Sequence, residues 1–75
     1  MSKESKELFG LRLKKLRKQI KISQEELAYR VGVSVMTIGR WERGEYGPEF
    51  DHLEVIAQAL DVRIRDLFDF GESKI

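Results

Sequence analysis

A chain of 75 residues with 41% hydrophobic residues is large enough for one small domain with a single modest core. It contains no cysteine and one histidine, His52, which excludes disulfides, thiolate metal sites and most histidine-based metal clusters. The formal net charge is only +1, but residues 1–22 carry eight Lys/Arg and two Asp/Glu, whereas residues 45–75 carry three basic and eight acidic residues.

No apolar run is long enough to span a membrane, and the N-terminal residues lack the apolar core of a signal peptide. We therefore expect a cytoplasmic protein with no membrane partner. Residues 1–6 are expected to form a frayed N-terminus and residues 71–75 a C-terminal tail, with one domain over residues 7–70. The sequence contains no evident nucleophile–base pair or metal cluster, so neither an enzyme nor a metal or other cofactor is expected.

The first predicted helix runs from about Ser5 to Lys21 and is amphipathic. Its apolar residues share one face at helical spacing: Phe9, Leu13, Leu16 and Ile20. A second stripe, offset toward solvent, consists of Lys14, Lys18 and Lys21. This lysine stripe is either an ordinary solvated surface or a contact for a negatively charged partner.

The second and third helices are predicted on either side of a three-residue link, Gly32-Val33-Ser34. Ser23 caps the second helix, and Glu26 three residues later completes a capping box that satisfies free backbone N–H groups. Ser34 caps the third helix, predicted over Val35–Arg43. Two helices of about two turns each around a short turn that contains glycine have the spacing of a helix-turn-helix.

The third predicted helix has two faces of different chemistry. At about 100° per residue, Ile38 and Trp41 point toward the core, whereas Met36, Arg40 and Arg43 lie on the opposite side. This outer face suits the major groove of DNA. Arginine can bind a guanine edge through two hydrogen bonds, and methionine can contact a thymine methyl group.

Two smaller residues lie beside these side chains. Val35, like Met36, can make only apolar contacts with a base. Gly39 costs about 1 kcal/mol in a helix interior relative to alanine. It therefore either permits close approach of the helix to DNA or is a tolerated neutral residue.

A fourth helix is predicted after a loop that contains Gly47-Pro48. It begins either just after Glu49 or at a capping box formed by Asp51 and Glu54. Its buried face is predicted to contain Phe50, Leu53, Ile56, Ala57 and Leu60.

A last short helix is predicted from Arg63 to about Asp69. Phe68 lies near the end of this helix, and two further apolar residues follow it, Phe70 and Ile75. They either cap the core or form a patch for self-association.

Taken together, these motifs resemble the lambda-repressor/Cro-like helix-turn-helix family over about residues 7–70. The resemblance is carried by Ser23-Gln24-Glu25-Glu26-Leu27-Ala28, Gly32-Val33-Ser34, Ile38, Trp41-Glu42-Arg43-Gly44, Pro48, Leu53, Ile56-Ala57, Ala59-Leu60, Val62 and Leu67-Phe68. It implies an all-α, compact five-helix DNA-binding domain in which helices 2 and 3 form the helix-turn-helix. Helix 3 would read the major groove.

The resemblance also implies roles for individual residues. The expected base contacts are Val35, Met36, Gly39 and Arg40. The expected phosphate contacts are Gln24, Ser34, Thr37 and Arg43. Gln24 also braces the recognition helix. Lys18, from the lysine stripe, is a further expected phosphate contact. Arg17 and Glu42 match a pair that ties helix 1 to helix 3 in some members.

Two departures from the family pattern concern the DNA-facing side. Val35 and Met36 cannot hydrogen-bond a base, whereas the family often has polar residues at those positions. Glu45 stands where a basic or neutral residue is common, and its charge should repel a nearby phosphate.

The function expected from these observations is a sequence-specific, double-stranded DNA-binding transcription regulator that acts as a homodimer on an inverted repeat. One recognition helix contacts few base pairs, and two copies place their helices about 34–36 Å apart, one DNA turn. Such a protein would be nucleoid-associated when bound, and no small-molecule effector is evident. The alternative is a protein-interaction module, of antitoxin or adaptor type, whose DNA binding is secondary or lost.

Overall fold

The computed structural model describes residues 1–71, in which four α-helices precede one 3₁₀ helix and no strand occurs. In chain order the elements are α1 (Lys3–Gln19), α2 (Gln24–Val31), α3 (Val35–Glu42), α4 (Phe50–Leu60) and the 3₁₀ helix Ile64–Phe68. Within this described part, no helix is both long enough and apolar enough to cross a membrane.

Serine caps and a glycine stop define the helix-turn-helix formed by α2 and α3. Each serine Oγ accepts the backbone N–H three residues later, at 2.9 Å for Ser23 and 3.1 Å for Ser34. Gly32 ends α2 with a φ of 87°, a left-handed conformation that glycine adopts without steric cost. Both caps and the glycine stop are confirmed. The capping box is only half formed, because the Glu26 carboxylate instead accepts Arg30 Nε at 2.9 Å.

The bounds of α1 differ from those predicted. Ser2 Oγ accepts the N–H of Ser5 at 3.0 Å, so the helix begins inside the segment 1–6 that was expected to be frayed. The helix ends at Gln19, two residues earlier than predicted. Ile20, which was predicted on the buried face, therefore follows the last helical residue and is exposed.

The prediction of five α-helices is wrong at the C-terminal end, where the last element is the 3₁₀ helix Ile64–Phe68. The N–H of Asp66 donates to the carbonyl of Arg63 at 2.9 Å, and Asp66 Oδ2 accepts the N–H of Arg63 at 2.9 Å. These two bonds close the tighter turn locally. A pattern of five residues cannot separate 3.0 from 3.6 residues per turn, so the sequence could not distinguish the two helix types.

α4 starts at the earlier of its two predicted positions. Glu49 is the N-cap residue and makes no side-chain capping bond. The alternative capping box of Asp51 and Glu54 does not form, because Asp51 already lies in the first helical turn. Phe50, predicted on the buried face, is 84% exposed, since α4 enters the core only through its later turns.

One core joins all five elements. α3 packs against α1 and α2, α4 packs against α2, and the 3₁₀ helix packs against α1 and α4. The buried hydrophobic side chains are Phe9, Leu13, Leu16, Leu27, Ala28, Val31, Ile38, Trp41, Ile56, Ala57, Leu60 and Leu67. α3 is thus held from two sides, which leaves its remaining face free.

The aromatic residues at the C-terminal end pack onto this core. The ring of Phe68 lies 5.6 Å from that of Phe9 and 6.2 Å from that of Phe70, measured between centroids. Phe70 is half-buried against the core. These contacts favour the core-capping interpretation for Phe68 and Phe70. Ile75, the third member of the predicted patch, lies outside the described residues.

Candidate nucleic-acid interface

A buried polar cluster from α1, α2 and α3 fixes the end of α3. The carboxylate of Glu42 accepts Arg17 Nε at 2.6 Å, Arg17 Nη2 at 3.1 Å and Gln24 Nε2 at 2.9 Å. Arg17 Nη1 also donates to the carbonyl of Ile22 at 2.8 Å. The expected pair of Arg17 and Glu42 is therefore present, with both residues buried, and Gln24 braces α3. Because a bidentate arginine–carboxylate pair is directional, it holds α3 in one orientation.

A glycine lets α1 approach the backbone of α3 closely at the same end. A Cβ at Gly10 would lie 2.6 Å from the carbonyl oxygen of Glu42 and would also clash with that of Trp41. Any larger residue would push α1 and α3 apart. This role of Gly10 was not predicted, although a glycine within an amphipathic helix, next to the buried Phe9, is a signal for close packing.

The outer face of α3, defined here as Val35, Met36, Arg40 and Arg43, lies opposite the buried Ile38 and Trp41. At the start of the helix, Val35 is 43% exposed and Met36 is 59% exposed. The two arginines lie toward its end, with 43% of the Arg40 side chain and 59% of the Arg43 side chain exposed. One helix thus presents two apolar residues followed by two positive charges.

Gly39, one of the expected base contacts, is covered by a side chain in the free protein. It is buried, and a Cβ at Gly39 would lie 3.0 Å from Nη1 of Arg43. The helical angles placed Gly39 correctly beside the outer face, but they could not show that a side chain four residues later folds back over it. Contact between Gly39 and a base stays a prediction, and it requires Arg43 to move away.

Glu45 is hydrogen-bonded to one arginine of the outer face and lies near the other. Arg43 Nε donates to Glu45 Oε2 at 2.7 Å, and Arg40 Nε lies 3.9 Å from Glu45 Oε1. The hydrogen bond from Arg43, together with the charges of both arginines, lowers the pKa of the Glu45 carboxyl. The sequence indicated that Glu45 would repel phosphate, but it did not reveal these internal partners.

The other predicted phosphate contacts lie in three places. Ser34 and Thr37 are together at the start of α3, where their hydroxyl oxygens are 3.0 Å apart. Lys18 is exposed on α1, next to the buried Arg17. Gln24, at the start of α2, is half-buried by its bond to Glu42. Their contacts with phosphate stay predictions.

No three His, Asp or Glu side chains gather as potential metal ligands among residues 1–71. The two aspartates in and just after the 3₁₀ helix, Asp66 and Asp69, each accept a nearby backbone N–H.

The sequence and the fold both match helix-turn-helix proteins. Residues 13–67 match the profile of a family described as helix-turn-helix. An uncharacterized HTH-type transcriptional regulator from Archaeoglobus fulgidus is 39% identical over 64 residues, which cover 85% of this chain and 90% of that protein.

Two solved structures extend the similarity to three dimensions. The restriction-modification controller protein C.AhdI from Aeromonas hydrophila aligns with a TM-score of 0.84 and 35% identity, covering 88% of this chain and 96% of the controller. The c2 repressor of Salmonella phage P22, in complex with a synthetic operator, aligns with a TM-score of 0.77 and 35% identity, covering 84% and 96% of the two chains.

Proposed function

Because the chain belongs to the Cro/C1-type helix-turn-helix family, we propose that it is a sequence-specific transcription regulator that binds double-stranded DNA through α3. The observation that carries this function is the outer face of α3, which is exposed while the opposite face is anchored in the core. A major groove about 12 Å wide admits one such helix. The buried cluster around Glu42 supports the proposal, since readout of bases requires a recognition helix held in a fixed position.

Sequence preference would come from three residues of the outer face. Arg40 is the candidate for two hydrogen bonds to a guanine edge, which are worth about 1–3 kcal/mol of discrimination. Val35 and Met36 would contact thymine methyl groups, because neither side chain can donate or accept a hydrogen bond with a base. A site that combines a guanine with neighbouring thymines is therefore expected.

Affinity would come from contacts with the DNA backbone. Lys18 and Arg43 supply positive charge. At the start of α3, one of the hydrogen-bonded Ser34 and Thr37 hydroxyls can donate its free proton to a phosphate oxygen. The basic residues are concentrated in residues 1–22, whereas the acidic residues dominate after α3. This asymmetry supports an orientation in which α1 lies near the phosphates and the C-terminal third faces away.

We further propose that the protein binds an inverted repeat as a homodimer. An apolar surface on α4 and the 3₁₀ helix supports formation of the homodimer, because Phe50 is 84% exposed and Ile64 is 45% exposed. The two residues border a groove of about 380 Å³ that Leu53 also lines. A second copy that covered this groove would remove apolar area from water. These elements contribute nothing to the outer face of α3, which leaves that face available for DNA.

The second candidate function, a protein-interaction module on the same fold, is favoured by one observation. Val35 and Met36 are exposed apolar residues at the start of α3, within the proposed interface, and such residues also suit contact with a protein. The dependence on salt separates the two functions. Binding through many phosphates weakens steeply with salt, whereas an apolar protein contact does not.

Selection from random duplex DNA at defined salt concentrations tests the proposed function directly. Enrichment of one motif, repeated with inversion about one helical turn apart, is the expected result. Failure to enrich any motif, with no binding of duplex DNA at low salt, would contradict it.

Single variants then test the individual contacts. Arg40→Ala should cost about 1–3 kcal/mol and relax the preference at one base pair, whereas Lys18→Ala should weaken all sequences equally and reduce the salt slope by about 1. Arg65→Ala removes the same charge from the 3₁₀ helix and serves as the control. Because this helix also borders the proposed dimer surface, sedimentation must show that the control variant assembles as the parent does. Arg40 is not a base reader if its variant retains the parental preference at every position.

A further inference from the structure

The turn after α3 brings a carboxylate back onto the end of the recognition helix. Gly44 adopts a φ of 76°, and the N–H of Glu45 donates to the carbonyl of Arg40 at 3.0 Å. This reversal is typical of a helix that ends at a left-handed glycine. The backbone of Glu45 is therefore fixed beside the last turn of α3, within reach of the outer face.

The two carboxylate oxygens of Glu45 each face one arginine of that outer face. Oε2 accepts Arg43 Nε at 2.7 Å, and Oε1 lies 3.9 Å from Arg40 Nε. The three side chains are all about half exposed, so they are accessible to a partner from solvent. A phosphate group offers arginine the same arrangement of anionic oxygens as a carboxylate does.

We propose that Glu45 is an intramolecular competitor for DNA phosphate, which pairs with Arg43, partly offsets the charge of Arg40 in the free protein and must be displaced when DNA binds. This inference rests on the proposed function and adds a residue that restrains it. The same displacement would free Gly39, because the Arg43 side chain that Glu45 holds is the one that covers it. Movement of Arg43 toward a phosphate would thus expose the helix backbone for close approach.

The competition has a measurable consequence for binding. DNA must replace the internal ion pair before Arg43 adds a phosphate contact, and the displaced carboxylate then stays near the negatively charged backbone. Removing the carboxylate removes both penalties. An exposed ion pair is weak, and the displaced carboxylate cancels part of the positive charge that Arg43 brings to the phosphates. Removing the carboxylate should therefore steepen the dependence of log K on log[salt] by less than about 0.9, the value for one full phosphate contact.

The experiment compares Glu45→Gln with Glu49→Gln, a control that removes the same charge four residues later in the same loop. Glu49 is exposed and makes no side-chain capping bond. Binding of a labelled random-sequence duplex is measured by fluorescence anisotropy between about 50 and 200 mM salt. Glu45→Gln should tighten binding about three- to tenfold at the lowest salt and steepen the salt slope, whereas Glu49→Gln should change affinity less than about twofold.

A double-mutant cycle separates competition for Arg43 from general repulsion of DNA. In an Arg43→Gln background, Glu45→Gln should lose most of its effect, because the arginine that the carboxylate occupies is gone. Circular dichroism of each variant checks that the helical fold is retained.

The possible outcomes distinguish this inference from the proposed function. If the wild-type protein binds and Glu45→Gln behaves like Glu49→Gln, or if its gain survives in the Arg43→Gln background, the competition is refuted while DNA binding stands. If Glu45→Gln binds the duplex and the wild-type protein does not, the competition is supported, whereas DNA binding by the wild-type protein is contradicted under those conditions. If neither binds at low salt, the proposed function itself fails and this inference fails with it.

Discussion

Replacing Glu42 with alanine should destabilise the protein by about 3–5 kcal/mol, since it leaves a buried guanidinium without its counter-ion. The side chains of Arg17 and Glu42 are only 9% and 3% exposed. The variant would lose two hydrogen bonds from Arg17 and one from Gln24, and Arg17 would retain only its bond to the Ile22 carbonyl. A domain of this size has a total stability of about 4–11 kcal/mol, so the loss is a large part of it.

Urea unfolding at neutral pH measures this effect, with Trp41, the single tryptophan, as the fluorescent probe. The matched control is Glu26→Ala, which removes the carboxylate of an exposed pair with Arg30 and should cost only about 0.3–0.5 kcal/mol. The two side chains of that pair are 45% and 39% exposed. Equal losses for the two variants would refute the reasoning, because burial would then have no effect on the cost.

A second comparison tests whether the cost comes from the unpaired charge. The double variant Arg17→Met/Glu42→Leu replaces the whole pair with apolar side chains of similar size. It should recover most of the stability that Glu42→Ala loses, since a buried ion pair contributes little more than a well-packed apolar pair. If the double variant is as unstable as the single one, the loss reflects packing and not charge.

Three other predictions concern packing, titration and assembly. Gly10→Ala should destabilise by about 1–3 kcal/mol in urea unfolding, because its Cβ would meet backbone carbonyls. Gly39→Ala, whose Cβ meets only the flexible end of Arg43, should be neutral or should stabilise by up to about 1 kcal/mol. If Gly10→Ala changed the stability as little as Gly39→Ala, the close approach of α1 to α3 at Gly10 would be refuted. The hydrogen bond from Arg43 lowers the pKa of Glu45, so this ion pair is present at neutral pH and is lost as the pH falls through that lowered pKa. An NMR titration should show the Glu45 pKa rising in Arg43→Ala, and an unchanged pKa would mean that the pair is absent in solution. Phe50→Ala should raise the dimer dissociation constant at least about tenfold in sedimentation, with little change in monomer stability, if Phe50 lies in the dimer interface.

Several features of this fold depend on neighbours in the chain, and the sequence was sufficient to predict them. The caps at Ser23 and Ser34 bond three residues ahead, and the glycine at 32 acts through its own backbone conformation. Trp41 could be assigned to the core because helical periodicity alone separates the two faces of α3. The family resemblance supplied the pairing of Arg17 with Glu42, which periodicity could not have found across 25 positions.

Other features arise only when separate helices and long side chains come together. Gly10 matters because the backbone of α3 packs against it, and Phe50 is exposed because α4 reaches the core through later turns. Arg43 covers Gly39 and bonds Glu45, which depends on how a flexible side chain lies on the surface. Local propensity and periodicity describe where a Cβ points, but they do not describe where a long charged side chain ends or which backbone it meets. The net charge of +1 can be counted from the sequence, whereas the position of the Glu45 carboxylate beside Arg40 and Arg43 is decided by the folded structure.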